Sequence, residues 1–146
     1  MKTAVFAGTF NPFTIGHRSI VERGLKIFDR IVIAIGVNPE KVSDHSISER
    51  CETIGKVFAN NNAVEVTAYT GLTADFVKQT GASAILRGVR NITDFEYERN
   101  LADINKNVLG VETCFLLSLP EYSYISGSMV RELKANGYDV SRFIAE

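Results

Sequence analysis

The feature that most constrains this chain is an alternation. Five short runs rich in β-branched and apolar residues occupy residues 3–7, 31–37, 64–69, 84–87 and 112–118, and each is followed by a helical pattern. Ile20, Val21, Leu25 and Phe28 recur with a period near that of an α-helix. Ser46 and Glu49 form a capping-box pair that opens a second helix running to about residue 60. A third covers residues 73–80 and stops at Gly81; Thr93 and Glu96 form another capping box. The helix it opens has Tyr97, Leu101, Ile104 and Val108 as its core stripe. A fifth helix follows Ser126 and ends near Gly137, a suitable C′ glycine. Strand-then-helix units repeated in this way predict an α/β fold: one domain over residues 1–146, a doubly wound, parallel, five-stranded sheet with helices on both faces. Several runs are almost continuously apolar, as in strands covered on both sides.

Composition fits one core. A chain of 146 residues is about the length of a single domain, and its 45% hydrophobic content argues against intrinsic disorder. The net charge of −1 argues against broad nucleic-acid binding, which needs a basic excess, but leaves room for a local basic pocket. The longest apolar stretch, residues 31–37, is far short of a membrane span, and the N-terminus reads as a strand entering a turn, with no secretory signal. Cys51 and Cys114 form no CxxC pair, so both are expected to be buried thiols in a reducing compartment, and the protein to be cytoplasmic.

In open parallel sheets ligands bind outside the carboxyl ends of the strands, near a switch point. The residues that follow the strands are therefore the candidates. The first loop, from Gly8 through Thr9, Phe10 and Asn11-Pro12 to Gly16 and His17, leads from a strand into a helix. It is neither a Walker A loop nor a GxGxxG fingerprint. Its glycines allow close backbone approach, and the helix N-terminus offers free N–H groups to a phosphate; the plainer alternative is an ordinary turn with a solvated histidine. Arg87-Gly88-Val89-Arg90 places two guanidinium forks at the end of the fourth strand, matched to phosphate oxygens or else to acidic neighbours such as Asp94 or Glu96. After the fifth strand, Tyr122, Ser123, Tyr124, Ile125, Ser126, Gly127 and Ser128 bring hydroxyls to a helix start, either a second phosphate site or simple N-capping. Lys41, Glu98 and Asn105 are weak signals alone, and His45 reads as a solvated loop residue. Two histidines and two distant cysteines give no metal-ligand spacing, and no nucleophile elbow is visible.

Taken together, these motifs resemble a known group. Gly8-Thr9-Phe10-Asn11-Pro12 with Thr14-Ile15-Gly16-His17 is similar to the first signature of the nucleotidylyltransferase superfamily, and Ile125-Ser126-Gly127-Ser128-Met129-Val130-Arg131-Glu132 is similar to its second, serine-rich signature. With Lys41, Arg87-Gly88-Val89-Arg90, Asp94 to Glu98 and Asn105, the combination resembles the bacterial phosphopantetheine adenylyltransferase family over nearly the whole chain. The resemblance implies a Rossmann-like domain that moves AMP from ATP to 4′-phosphopantetheine by direct attack, giving dephospho-coenzyme A and pyrophosphate. It implies that His17 and Lys41 are catalytic. Thr9, Lys41, Thr73, Arg87 and Asn105 would bind phosphopantetheine. Thr9, Phe10, His17, Gly88, Val89, Arg90 and Glu98, with the segment from Tyr122 to Ser128, would bind ATP. It also implies Mg²⁺ carried by ATP rather than by protein side chains, a homohexamer, and coenzyme A as a feedback ligand.

The chain departs from the family pattern in places. Asn11 replaces the usual aspartate, Thr14 stands where many superfamily members carry histidine, Gly127 interrupts the triple serine, and Gly71 stands where an acidic residue often lies. The rival readings are another nucleotidylyltransferase, acting on nicotinamide mononucleotide or an alcohol phosphate, and a non-catalytic nucleotide- or coenzyme A-binding regulator that keeps the fold.

Overall fold

A computed structural model describes residues 1–37 and 46–146. The strands are β1 (Thr3–Gly8), β2 (Arg30–Gly36), β3 (Val64–Tyr69), β4 (Ala84–Val89) and β5 (Thr113–Leu117). The helices are α1 (Ile15–Gly24), α2 (Ile47–Val57), α3 (Thr73–Thr80), α4 (Ile92–Asn107) and α5 (Gly127–Ala135). All neighbouring strands pair in parallel, in the order β3-β2-β1-β4-β5. The fold is the expected Rossmann-like α/β sheet. The chain winds outward from β1 to β3, crosses back, and winds outward again through β4 and β5. The two directions part between β1 and β4, which makes the carboxyl ends of those strands the switch point.

The period-2 geometry of a strand divides the core in two. Ala4 and Phe6 of β1 and Ile31, Ile33 and Ile35 of β2 face Ile20 and Val21 of α1 and Ile54 of α2. Val5, Ala7, Val32, Ala34 and Ile85 face the other way, against Ala74 and Val77 of α3. The central strands β1 and β2 are fully buried along their middles, which is why their sequences read as unbroken apolar runs. The chain closes with a 3₁₀ turn at Ser141–Phe143, after which Ile144 bridges back to Thr14 and Ala145 N–H donates to the Phe13 carbonyl.

Three expectations are corrected. The capping residue of α4 is Asn91, not Thr93: the Asn91 side chain accepts from the Asp94 N–H, because Asn91 holds the extended backbone a cap requires. The stripe expected to be core on α4 faces outward instead, with Tyr97 64%, Ile104 54% and Val108 74% exposed. The period identified an apolar face, but the buried side of this helix carries Glu98, which is held by an arginine of β4. Cys114 is exposed, because β5 is the edge strand, whereas Cys51 is partly buried. Lys41 and His45 lie outside the described residues. Among the described residues no helix is long and apolar enough to cross a membrane.

Candidate active site

The site is built at the switch point. Leaving β1 at Gly8, the chain turns sharply at Phe10, whose φ of 47° lies in the left-handed region that L side chains rarely adopt. The Phe10 ring is buried and lies over Gly8, where an added Cβ would stand 3.1 Å from two of its ring carbons. Thr14 then caps α1 in a reciprocal arrangement. His17 N–H donates to Thr14 Oγ1 at 3.3 Å, and Thr14 N–H donates to His17 Nδ1 at 2.9 Å. The position of a capping-box glutamate is thus held by an imidazole.

This bond fixes the chemistry of His17. A backbone N–H can only donate, so Nδ1 is the acceptor and the neutral ring carries its hydrogen on Nε2. The ring stacks on Phe13 with centroids 5.4 Å apart and meets the Phe10 ring edge-on at 5.1 Å. Burial, assisted by the charges of Arg87 and Arg90, lowers its pKa from 6.5 to about 3. His17 is therefore a neutral Nε2–H donor at ordinary pH.

Around it lies a cavity of about 280 Å³ lined by the Gly8 to Pro12 loop, Gly16 and His17 of α1, Arg87, Gly88 and Arg90, Asp94 and Glu98 of α4, Ser118, and Ser126, Gly127, Ser128 and Arg131 at the start of α5. Two helix N-termini, those of α1 and α5, open on this space, each with free N–H groups and a positive dipole end. Gly88 fits closely under Ile20, where a Cβ would come 3.0 Å from Ile20 Cγ1.

A second cavity of about 150 Å³ adjoins the first. It is lined by Tyr69, Thr73, Tyr97, Leu101, Ala102, Asn105 and Thr113, and shares Ala7, Gly8, Arg87 and Glu98 with its neighbour. The common wall is an ion pair. Arg87 Nε and Nη2 bond the two Glu98 carboxylate oxygens at 2.9 and 2.6 Å, and Arg87 Nη1 donates to the Ala7 carbonyl. Burial works against the Arg87 charge, but the hydrogen bonds and charge of Glu98 more than offset it, so its pKa ends above the ordinary value. Arg90 is held in the same bidentate way by Asp94, at 2.8 and 3.1 Å.

The chain is 51% identical over 143 residues, 98% of its length, to a protein of Porphyromonas gingivalis named phosphopantetheine adenylyltransferase, and covers 94% of that relative. It belongs to the phosphopantetheine adenylyltransferase family. A Bacteroides thetaiotaomicron member of that family is 45% identical over the whole chain and 97% of its own length. Residues 5–133 match the wider family described as cytidylyltransferase-like. The fold is shared with solved nucleotidyltransferase structures. A bifunctional NMN adenylyltransferase/ADP ribose pyrophosphatase from Francisella tularensis superposes over 99% of the chain with a TM-score of 0.73 at 14% identity; the chain spans 45% of that larger protein.

Thr9, Phe10, His17, Gly88, Arg90, Ser126, Gly127 and Ser128 line the first cavity, Thr73 and Asn105 the second, and Arg87 and Glu98 both. Val89, Tyr122, Ser123, Tyr124 and Ile125 are not on these walls. Val89 is buried in β4, and Ile125 packs with Val130 and Phe143 in a small cluster that Tyr122 also joins. Ser126 Oγ accepts from Met129 N–H, so it caps α5 while lining the cavity. Arg87 was expected after β4; the strand continues to Val89, and Arg87 projects from within it. The sequence reading missed Tyr69, whose hydroxyl stands 2.7 Å from Thr73 Oγ1, and Arg131. Tyr69 could have been found by the strand-end rule, as the last residue of β3.

Proposed function

We propose that this family member transfers the adenylyl group of ATP to the phosphate of 4′-phosphopantetheine, yielding dephospho-coenzyme A and pyrophosphate. The observation that carries the reading is the pair of adjoining cavities joined at Arg87: one lies under two helix N-termini, which suit a triphosphate, and the other is lined by hydroxyl, amide and apolar side chains suited to a pantetheine arm. The names of the full-length relatives support the same substrate pair.

In the reaction an acceptor phosphate oxygen attacks the α-phosphorus of ATP in line. The bond from that phosphorus to the bridging oxygen breaks, and pyrophosphate leaves. The protein supplies position and charge stabilisation. His17 Nε2–H donates to an oxygen of the α-phosphate as charge gathers there. Lys41, which lies outside the described residues, neutralises the acceptor phosphate together with Thr9 and Arg87. Thr73 and Asn105 hold the pantetheine arm. Phe10, Gly88, Val89, Arg90 and Glu98, with the segment from Tyr122 to Ser128, hold ATP. Within this group Val89 and Ile125 act through their backbones, since their side chains are buried.

Both carboxylates on the ATP cavity are bonded to arginines, Asp94 to Arg90 and Glu98 to Arg87. Among the described residues no group of three or more His, Cys, Asp or Glu side chains is placed to hold a metal. Mg²⁺ enters our reading as the counter-ion that ATP brings, held by phosphate oxygens and water. Coenzyme A, which carries both halves of the product, would span both cavities as a feedback ligand. The outward apolar face of α4 supports self-association, which we take to be a hexamer, and we take the enzyme to act in the cytoplasm. The test is pyrophosphate release from ATP with phosphopantetheine. Release with nicotinamide mononucleotide or an alcohol phosphate instead would favour the rival nucleotidylyltransferase reading.

A further inference from the structure

Two arginines from separate helices hold the first loop from behind. Arg50 Nη1 of α2 donates to the Thr9 carbonyl at 2.5 Å, and Arg131 Nη1 of α5 donates to the Asn11 carbonyl at 2.5 Å. The residue between those carbonyls is Phe10, with its left-handed φ. Such a backbone persists only where its surroundings over-determine it. Because peptide units are planar, fixing the Thr9 and Asn11 carbonyls fixes the peptide planes that follow both residues. The Phe10 ring that results packs on Gly8 and edge-on against His17. A continuous set of contacts therefore runs from two guanidinium groups, through two carbonyls and one strained turn, to the imidazole.

Gly127 belongs to the same device. A Cβ there would stand 3.1 Å from Arg131 Nη1 and 3.4 Å from the Asn11 carbonyl oxygen. The glycine that interrupts the serine run thus leaves the space through which Arg131 reaches the loop. Arg131 Nη2 also donates to Ser128 Oγ at 3.2 Å, tying the first turn of α5 to the same guanidinium.

We propose that Arg50 and Arg131 are positioning residues for adenylyl transfer, holding the turn at Phe10 so that His17 is presented to the reacting phosphate. The inference rests on the reaction proposed above. Arg50 is the sharper case, because it lines neither substrate cavity; it borders a separate, mostly apolar cavity of about 250 Å³ behind the loop.

The test uses steady-state kinetics of the full chain with ATP and phosphopantetheine, and ¹⁵N spectra of its two histidines. Arg50→Met and Arg131→Met are expected to lower kcat about 10-fold or more while the KM for ATP changes by less than about 3-fold, the result of misplacing a catalytic group rather than losing a ligand contact. Arg50→Lys and Arg131→Lys, which keep a charged donor, are expected to recover most of the rate. In the methionine variants the His17 ring resonances should also shift, because the Phe10 ring that meets the imidazole edge-on is no longer held in place. Gly127→Ala, which removes no charge and favours the helix, should lower kcat in the wild-type background and add nothing to Arg131→Met. Methionine variants that keep full kcat and an unchanged His17 spectrum would overturn the inference. So would a raised KM for ATP at constant kcat, which would make the arginines ligands of the triphosphate. If the wild-type chain is inactive with this substrate pair, the functional reading fails, and the His17 spectra still decide whether the arginines order the ring.

Discussion

Thr14 and His17 exchange hydrogen bonds across the first turn of α1, the backbone N–H of Thr14 reaching His17 Nδ1 at 2.9 Å and the N–H of His17 returning to Thr14 Oγ1 at 3.3 Å. One bond pair thus caps a helix and sets the tautomer of the residue assigned to the transition state. His17→Ala is expected to lower kcat by about 10²-fold or more, with a much smaller change in KM, as loss of a transition-state donor does. Steady-state kinetics check this, and a near-normal kcat would remove His17 from its role.

The same ring makes stability depend on pH. Its pKa falls from 6.5 when unfolded to about 3 when folded, so only the unfolded chain takes up this proton between those values. The stabilisation is complete above pH 6.5 and is lost as pH falls towards 3. Urea midpoints measured from pH 7 to pH 4 should fall more steeply for the wild type than for His17→Gln, whose position 17 does not titrate. Parallel curves would contradict the buried, neutral ring.

The Arg87–Glu98 pair predicts a joint effect on stability and binding. Glu98→Ala leaves a partly buried guanidinium without its bidentate partner and should cost about 2 kcal/mol in urea unfolding. Arg87→Ala should raise the KM for phosphopantetheine more than that for ATP, since Arg87 is assigned to the acceptor phosphate. An equal rise in both would shift Arg87 to the ATP site.

Much of this architecture is legible in the sequence. The unbroken apolar runs of β1 and β2 announce a sheet covered on both faces, and the strand-end rule leads directly to Thr9, His17, Arg87 and Ser126. What failed, failed for local reasons. Thr93 and Glu96 have capping-box spacing, but Asn91 precedes them with an equally good capping side chain, and spacing alone does not choose between overlapping caps. Tyr97, Leu101, Ile104 and Val108 have core periodicity, but periodicity does not say whether the surface they meet belongs to the same chain. Arg131 lies in the serine-rich motif, yet its reach to Asn11 across the fold has no counterpart in sequence spacing.

The cap correction is itself testable. Asn91→Ala should destabilise the protein by about 1 kcal/mol, whereas Thr93→Ala should be nearly neutral. Chemical denaturation of both variants measures the difference, and the reverse order would restore Thr93 as the cap.

The outward face of α4 leads to a prediction about assembly. Ile104→Glu and Val108→Glu, at sites 54% and 74% exposed, should leave the helical circular dichroism intact while shifting sedimentation to smaller species. An unchanged sedimentation profile would show that this face is not the contact.

The most direct measurement is the fate of label from [α-³²P]ATP incubated with phosphopantetheine, Mg²⁺ and the purified chain. The account predicts that label appears in dephospho-coenzyme A, with one pyrophosphate released per adenylyl group transferred. Label that stays in ATP with this acceptor, but moves to a different phosphorylated acceptor, would contradict it.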